Sequence, residues 1–401
     1  MIKIKLFLFL IILFLQNNIF QNSLGREYTM DDLFNIAQKN SQNIAASQYF
    51  ADAQSEFAKQ QKYWDNIELG YDNNGVSLSQ KIPFKNKLNN KYNIENSSYQ
   101  ILQLQKDNLE LFVKSVIFSL AYNYYGTMQK INLLQQRLDR LNSVNNYLLH
   151  ITIVSPTKKA QVEIVKDKIS LLEVDLINLK NELYQIWNKM NVFLDINDNT
   201  DINLSLLWIN NNNAFDDNKL QNIINTSIEN NLELKQQKQL IEKYNQELKF
   251  AKIEQMPDIK ISATETNDGF AKGGVSISVP VVNRNQKKIS SQEAKLKAQT
   301  LMYNFEKHKL TQELKNDIKQ YNTLIQIAKI FPLERINIAI SKLNTQNIHF
   351  QKGILDFITY IELDSQEYDI IWTAIETQIN LAFFYSQIMI KQGKFEIPRY
   401  Y

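Results

Sequence analysis

The segment GGVSISVPVVNRNQKK, residues 273–288, has apolar residues at every second position, followed by Pro280 and a charged run. Alternation of this kind is typical of a β-strand with one apolar face, and the charged run indicates the start of a helix. A closely similar segment, NGVSLSQKIPFKNKL, occupies residues 74–88. The two copies are separated by about half of the 401-residue chain, so one strand-to-helix unit occurs twice.

The similarity extends upstream of this unit. AKQQKYWD at 58–65 parallels AKIEQMPD at 251–258, and NSQNI at 40–44 parallels NNLEL at 230–234. A repeat this long indicates a duplicated architecture, with each half ordered helix, strand, strand, very long helix, turn and helix. The predicted divisions are a signal peptide at 1–25, a first repeat at 26–194, an equatorial surface insertion at 195–216, a second repeat at 217–392 and a tail at 393–401.

Four strands are predicted, within about 66–83 and 258–282. Asn74-Gly75 is the preferred two-residue turn of a hairpin, and this turn would pair Glu68 with Lys81. The second hairpin is predicted to turn through 266–273. The apolar positions of the four strands include Ile67, Leu69, Tyr71, Val76, Leu78, Ile259, Ile261, Val275, Ile277 and Val279.

Long helices are predicted at about 84–148, 159–194, 285–349 and 355–392, because Gly and Pro are rare in the chain. The first would be roughly 100 Å long at ~1.5 Å per residue. Pro332 is expected to kink the third. A seven-residue apolar repeat in the fourth, beginning at Ile354, predicts left-handed supercoiling against its neighbours.

The N-terminus has the form of a secretory signal peptide: two lysines, the apolar run LFLFLIILFL at 6–15 and small residues before a cleavage site after Gly25. The alternative is a membrane anchor, but ten apolar residues are too few to span a bilayer. The rest of the chain offers no run of about 18 uncharged apolar residues, so no spanning helix is expected.

The composition of the chain argues against a catalytic function. The chain has no cysteine, three histidines and a net charge of +3. It contains no phosphate-binding Gly-rich loop, no His-Glu-x-x-His and no Gly-x-Ser-x-Gly motif. We therefore expect no enzyme activity, no cofactor, no resident metal and no nucleic-acid partner.

Four half-apolar strands cannot close a membrane barrel, which needs at least about eight. Three chains would supply twelve, with the polar face lining a lumen and the apolar face meeting lipid. Tyr63 and Trp64 stand at the start of the first strand, where an aromatic girdle belongs. The predicted fold is therefore mainly α with a membrane β-barrel. A homotrimeric, twelve-stranded barrel would continue into a periplasmic α-helical coiled-coil tunnel.

Several motifs resemble those of the TolC-like outer-membrane efflux protein family. Asn-Leu-Glu-Leu at 231–234 is similar to the Asn-Pro-Glu-Leu of the family, with Leu232 in place of Pro. MPDIKIS at 256–262 resembles the family's entry into its third strand. Together with the duplication, these motifs extend the resemblance over nearly all of the mature chain.

The two strand-to-helix exits resemble the heavy-metal, CzcC-like branch of that family. VPVVNRNQKK at 279–288 matches its second exit, with Lys287 where Gly is usual. LSQKIPFKNK at 78–87 is similar to its first exit, with Asn86 where Gly is usual. Asn tolerates a left-handed backbone better than most residues, so this departure is mild.

The resemblance implies an outer-membrane channel-tunnel in a Gram-negative bacterium, with a large periplasmic portion. It would be the exit duct of a tripartite efflux pump or type I secretion system. Its partners would be a periplasmic adaptor, an inner-membrane transporter of the RND or ABC type, and outer-membrane lipid. The exit motif favours metal ions as cargo, with drugs and polypeptides as alternatives.

By the same resemblance, the helix-to-helix turns at about 152–158 and 350–356 are the periplasmic tips that gate the tunnel and meet the adaptor. Plain exposed loops are the alternative. The expected tip residues are Val154, Ser155, Pro156, Thr157, Lys352, Gly353, Ile354 and Asp356.

Acidic and histidine side chains near the tips have two interpretations each. Glu362 and Asp364 could form a cation-attracting ring inside the entrance, as in the family, or an ordinary solvated helix face. His150 and His349 could serve a metal or pH-sensing role, but solvated tip residues are the simpler interpretation.

A different class of function also fits the long helices. The chain could be a secreted periplasmic coiled-coil tether or filament. The two matched hairpins argue against this alternative, because a filament has no use for half-apolar strands.

Overall fold

The computed structural model describes most of the chain. The described residues are 27–72, 75–84, 86–150, 155–196, 203–204, 209, 214–266, 269–277 and 285–398. The predicted signal peptide, Val154 and Val279 lie outside them.

The described chain repeats one series of elements, with the long helix of the second half divided into two. The first half has a short strand β1 (Glu27–Tyr28), helices α1 (Met30–Asn40) and α2 (Gln42–Gln60), strands β2 (Glu68–Asp72) and β3 (Gly75–Ile82), and helices α3 (Lys87–His150) and α4 (Pro156–Leu194). After β4 (Asn203–Leu204), the second half has α5 (Leu220–Asn230), α6 (Leu232–Ile253), β5 (Ile259–Thr266), β6 (Ala271–Ile277), α7 (Gln286–Ile330), α8 (Leu333–Gln351) and α9 (Phe357–Lys391).

Both strand-to-helix exits use an asparagine in the left-handed conformation. Asn86 has φ 56° and Asn285 has φ 53°, and each directly precedes a long helix. Asn is one of the few non-glycine residues that adopt this conformation without a large penalty. The expectation that Asn86 can replace the usual glycine is therefore confirmed.

The long helices follow from the scarcity of helix breakers. The helix α3 runs for 64 residues without interruption, a length of about 96 Å at ~1.5 Å per residue. In the second half, Phe331 and Pro332 separate α7 from α8, because proline cannot donate the hydrogen bond that a continuous helix requires. The predicted effect of Pro332 is confirmed.

The four longer strands form one antiparallel sheet in the order β2-β3-β5-β6. Directly opposed residues in such a sheet share a face, and the register places the apolar positions of all four strands on the same side. Gln80 and Glu265 are polar exceptions on that side, and Ile67 lies just before β2. The apolar residues on that side are Leu69, Tyr71, Val76, Leu78, Ile82, Ile259, Ile261, Val275 and Ile277.

The predicted register of the first hairpin is wrong by two residues. Asp72 pairs with Gly75, so Glu68 lies opposite Ser79 and not opposite Lys81. The displacement is even, and it therefore leaves every side chain on its predicted face. Glu68 accepts hydrogen bonds from Ser79 Oγ at 3.0 Å and from Lys260 Nζ at 2.7 Å, so its cationic partner comes from β5.

The second hairpin turn is shorter than predicted. The sequence predicts a turn through 266–273, but β5 continues to Thr266 and β6 begins at Ala271. The Thr266 amide donates to the Phe270 carbonyl at 3.0 Å, and Gly269 supplies the positive φ of 81° that the turn needs.

The helices enclose two apolar clusters. One packs α1, α5 and the middle parts of α3, α7 and α9 around Phe118 and Tyr321. The other continues towards the helix-to-helix turns, between the C-terminal part of α3 and helices α4, α8 and α9. The chain after α9 joins the first cluster, where the Phe395 ring lies 5.3 Å from that of Phe118.

The predicted surface insertion at 195–216 is only partly at the surface. Ile209 is fully buried, and its amide donates to Gln378 Oε1 at 2.8 Å. Asn322 makes hydrogen bonds to both backbone groups of Phe215. The sequence did not predict these buried contacts, because the segment is mostly polar and a single apolar residue produces no periodic pattern.

The hairpin register can be tested in this cysteine-free chain. We expect Glu68→Cys with Ser79→Cys to form a disulfide under mild oxidation, because directly opposed Cβ atoms lie about 4.5–5.5 Å apart. Glu68→Cys with Lys81→Cys is the matched control and should remain reduced. Free thiols counted by mass spectrometry after alkylation give the result, and preferential oxidation of the 68/81 pair would contradict the register.

Candidate functional site

The first predicted tip begins helix α4. Ser155 is its N-cap, and the Ser155 hydroxyl accepts a hydrogen bond from the Lys158 amide at 3.3 Å. Pro156 occupies the first helical position, where its missing N–H costs nothing. Thr157 follows within the first turn. Val154, the remaining expected residue of this tip, lies outside the described residues.

The second tip is a compact turn between α8 and α9. Gly353 has φ 71°, its amide donates to the Phe350 carbonyl, and the Ile354 amide donates to the His349 carbonyl, both at 2.9 Å. This pair of bonds is the Schellman ending of a helix, which favours glycine at the left-handed position. Lys352 caps the helix, and Ile354 remains 64% exposed.

Asp356 begins the helix that leaves the second tip. Its carboxylate accepts hydrogen bonds from the amides of Ile358 and Thr359, each at 3.0 Å, and from the Thr359 hydroxyl. The Thr359 bonds are the largest influence that holds the pKa of Asp356 below its usual value. The charged carboxylate therefore fixes the start of α9 at neutral pH.

Aromatic side chains pack the two helical hairpins together beside the tips. The ring of Phe350 on α8 lies 5.4 Å from that of Tyr147 on α3 and 4.9 Å from that of Tyr360 on α9. Phe357, at the start of α9, completes the cluster. The second tip is therefore a short turn on a packed aromatic base.

Asp364 does not supply an exposed entrance carboxylate. Its side chain is 2% exposed and lies between two arginines of α3: Arg137 Nε donates to one carboxylate oxygen at 2.8 Å and Arg140 Nε to the other at 2.9 Å. The expected acidic ring is wrong for this residue, because the neighbouring helix neutralises it. Glu362 is exposed and accepts a hydrogen bond from Gln366 at 2.9 Å, so its place in a ring stays a prediction.

A second buried carboxylate lies one turn further along α9. Glu367 accepts hydrogen bonds from Arg335 and Lys342, both at 2.9 Å, which join α9 to α8. Burial alone would raise the pKa of Glu367, but these two bonds outweigh it and leave the pKa lowered. Burial raises the pKa of the adjacent Tyr368 to about 12, partly offset by the guanidinium of Arg137.

The arginine partners were not identified from the sequence. Arg137 and Arg140 stand beside Leu134, Leu138 and Leu141, and charges flanking a leucine repeat suggest a solvated face. A signal was present, however. The chain has few arginines, and two of them three positions apart on one helix can bind a single carboxylate.

The motif Asn231-Leu232-Glu233-Leu234 has a structural role. Asn231 is the N-cap of α6, accepts a hydrogen bond from the Leu234 amide at 2.9 Å and donates to the Lys391 carbonyl at 3.1 Å. Leu232 occupies the first helical position, which proline also favours. This junction joins α6 to the end of α9.

Two features bear on membrane and metal binding. Among the described residues, no helix combines the length and apolar character needed to cross a membrane. No group of three or more His, Asp or Glu side chains in the described ranges could hold a metal ion.

No protein-family model matches this chain, and no curated protein matches it. Solved structures do match over nearly its whole length. A structure of CusC, described with its transmembrane channel formation, has a TM-score of 0.73 at 12% identity and covers 93% of this chain and 94% of its own.

Two further structures are the open MtrE outer-membrane channel of Neisseria gonorrhoeae and the outer-membrane protein VceC of Vibrio cholerae. The first has a TM-score of 0.72 at 11% identity and covers 91% of this chain and 89% of its own. The second has a TM-score of 0.70 at 12% identity and covers 91% and 96%. The chain therefore has the fold of the outer-membrane efflux channels, and the TolC-like resemblance is confirmed as a fold. The heavy-metal branch stays a prediction.

We expect Asp364→Asn to lower the stability of the helical hairpins strongly. The change would leave Arg137 and Arg140 buried without a carboxylate, and breaking a buried ion pair from one side costs about 3–5 kcal/mol. Glu362→Gln is the matched control on the same helix and should change stability by less than about 0.5 kcal/mol. Thermal unfolding followed by circular dichroism measures both, and equal melting temperatures for the two variants would contradict the assignment.

Proposed function

We propose that this chain is one subunit of a homotrimeric outer-membrane channel-tunnel. The channel would be the exit duct of a tripartite efflux pump or type I secretion system. The observation that carries the proposal is a four-stranded sheet with one apolar face and, among the described strands, two unpaired edges. Helices of 64 and 45 residues, about 96 and 68 Å long at ~1.5 Å per residue, follow its two hairpins. The subunit would perform no chemistry, and energy would come from an inner-membrane transporter.

The edges of the sheet support an assembly of several copies. Among the described strands of one chain, β2 and β6 are the outer ones, and each has one neighbour. Backbone groups in lipid must all be hydrogen-bonded, so such edges cannot remain open in a membrane. Pairing β6 of one copy with β2 of the next closes twelve strands from three copies, a number within the range of bacterial barrels.

The exposed apolar side chains of the sheet support a lipid-facing outer surface. Leu69 is 73% exposed, Tyr71 83% and Val275 71%, and all three share one face. The opposite face holds Glu68 and Lys260, which suit a water-filled lumen. The same alternation of apolar and polar faces occurs in outer-membrane barrels.

The helical part supports a tunnel below the barrel. The hairpins α3–α4 and α8–α9 end in the two tips, and the second tip carries exposed apolar side chains at Ile354 and Ile358. Such residues suit docking of a periplasmic adaptor. The tips would also form the gate, with Ser155, Pro156, Thr157, Lys352, Gly353 and Asp356 as the turn residues and Val154 proposed beside them.

Membrane fractionation and cross-linking test the function. We expect the protein in outer-membrane vesicles, trapped as trimers by a lysine-reactive cross-linker in detergent, and conducting ions when the trimer is inserted into a planar bilayer. A protein found only in periplasm or medium would indicate the coiled-coil filament instead. A monomer that conducts would contradict the trimeric duct.

The assigned faces of β6 give a residue-level prediction. Ile277→Arg should reduce the amount of protein assembled in the outer membrane, because an arginine on the lipid face is destabilising, by ~2–4 kcal/mol at the membrane midplane and less towards the interfaces. Ser276→Arg, one residue away on the lumen side, is the matched control and should assemble normally. Equal outer-membrane levels of the two variants, measured by immunoblot, would refute the assignment of faces.

A further inference from the structure

Two lysines lie side by side on the polar face of the sheet. Lys81 on β3 is directly opposite Lys260 on β5, and Lys260 is opposite Ser276 on β6. We call these three residues the lysine rung. They lie at the end of the sheet from which the helices leave, since β3 ends at Ile82 and β5 begins at Ile259. Like charges directly opposite each other destabilise a sheet, so the fold retains a locally unfavourable pair.

Two carboxylates neutralise the lysine rung only in part. Lys260 Nζ lies 2.7 Å from Glu68, and Lys81 Nζ lies 3.1 Å from Asp258. A third lysine, Lys87 at the start of α3, binds Asp258 more closely, at 2.7 Å. Among the described residues in this cluster, three lysines therefore share two carboxylates, which leaves an excess of one positive charge per copy.

Exposure differs between the two signs of charge. The side chain of Asp258 is 17% exposed, whereas those of Lys81 and Lys260 are 53% and 47% exposed. Glu68 is also exposed, but its carboxylate is held by Lys260 and by the Ser79 hydroxyl. Water on the polar face therefore meets the two ammonium groups of the rung with one bound carboxylate between β2 and β5.

The remaining polar-face positions add no net charge. Further from the helices, the register assigns one acidic and one basic residue to this face, Asp72 on β2 and Lys272 on β6. The other described positions there hold small uncharged residues: Gly70, Gly75, Ser77, Ser79, Ser262, Thr264, Thr266 and Gly274. The excess charge of the sheet is thus concentrated at the lysine rung.

We infer that the lysine rung makes the barrel lumen selective for anions. The inference rests on the proposed trimeric duct and names the charge class of its cargo: small solutes that carry carboxylate or phosphate groups. Three copies would place six rung lysines around the lumen, with three positive charges in excess. Rings of lysine or arginine select anions in pores, whereas rings of acidic residues select cations. Metal cations, the cargo that the exit motif favours, would be disfavoured at this level.

The charges beside the tips do not oppose this selectivity through Asp364. Arg137 and Arg140 both bind that carboxylate, so the buried cluster has two cations and one anion. Glu362 is the remaining acidic residue of the expected ring. A single exposed carboxylate per copy at the tip lies a full helical hairpin away from the lysine rung.

The proposed lumen is narrow enough for the rung to act across it. Twelve strands spaced ~4.8 Å apart and tilted by ~40° close into a barrel with a backbone radius of about 12 Å. Charges are screened over ~10 Å at 0.1 M salt and over ~3 Å at 1 M. Because the lysine side chains project inward from the backbone, their field reaches the axis at the lower salt concentration and is screened at the higher one.

Reversal potentials of the purified full-length trimer in a planar bilayer test the inference. In a gradient of potassium chloride around ~0.1 M, we expect chloride to be more permeant than potassium. The preference should fall towards equality when the salt is raised to ~1 M, because screening then confines the field to the wall. A preference for potassium in the wild-type trimer would overturn the inference.

Variants on one strand locate the effect. Lys260→Gln removes the excess charge of each copy and should abolish the preference for chloride, whereas Lys260→Arg keeps the charge and should retain it. Glu265→Gln is the matched control on β5, because Glu265 lies on the apolar side of the sheet and should not affect the permeability ratio. Equal ratios for Lys260→Gln and the wild type, or equal shifts for Lys260→Gln and Glu265→Gln, would contradict the assigned role.

The outcomes separate this inference from the proposed function. A trimer that conducts without preferring chloride leaves the duct standing and removes the lysine rung as its selectivity element. A trimer that does not conduct removes the duct and the inference with it. If Lys260→Gln does not assemble into trimers, the ion preference of the wild type, its salt dependence and the Lys260→Arg variant still decide the result.

Discussion

Unpaired backbone groups at the two edges of the four-stranded sheet are the constraint on which the rest of the structure depends. A strand edge can remain open in water, but in a bilayer each unpaired N–H or C=O costs several kcal/mol. One chain supplies only β2, β3, β5 and β6, and no further strand of the sheet occurs among the described residues. In the proposed barrel, other copies would pair with these edges, and a duplicated chain would provide edges that repeat around an axis.

Long helices follow the strands in both halves of the chain. The left-handed asparagines Asn86 and Asn285 redirect the chain from strand to helix at the same point in both halves. Without helix breakers, α3 then continues for 64 residues. The length of α3 determines how far the helical part extends from the sheet. The stability of α3 comes from packing against its neighbours, because helix propensity alone stabilises an isolated helix only weakly.

Charges within the helical hairpins set how the helices meet. Asp364 holds Arg137 and Arg140, and Glu367 holds Arg335 and Lys342. The first set ties α9 to α3 and the second ties α9 to α8. Buried ion pairs contribute little net stability, but a shifted helix would leave their charges unpaired. We therefore interpret them as determinants of the helix register beside the tips.

The sequence by itself determined the duplicated architecture, the faces of the strands, the long helices and the turn positions of the tips. These features follow from local periodicity and backbone preference, which neighbouring residues encode. Only the tertiary structure decided the hairpin register, the partner of Glu68, the burial of Asp364 and the anchoring of Ile209. Each depends on side chains brought together from distant positions: Asp364 looks solvated in its own helix and is buried because α3 presents two arginines to it. The sequence places two arginines three positions apart on α3, but it does not show which distant carboxylate they meet.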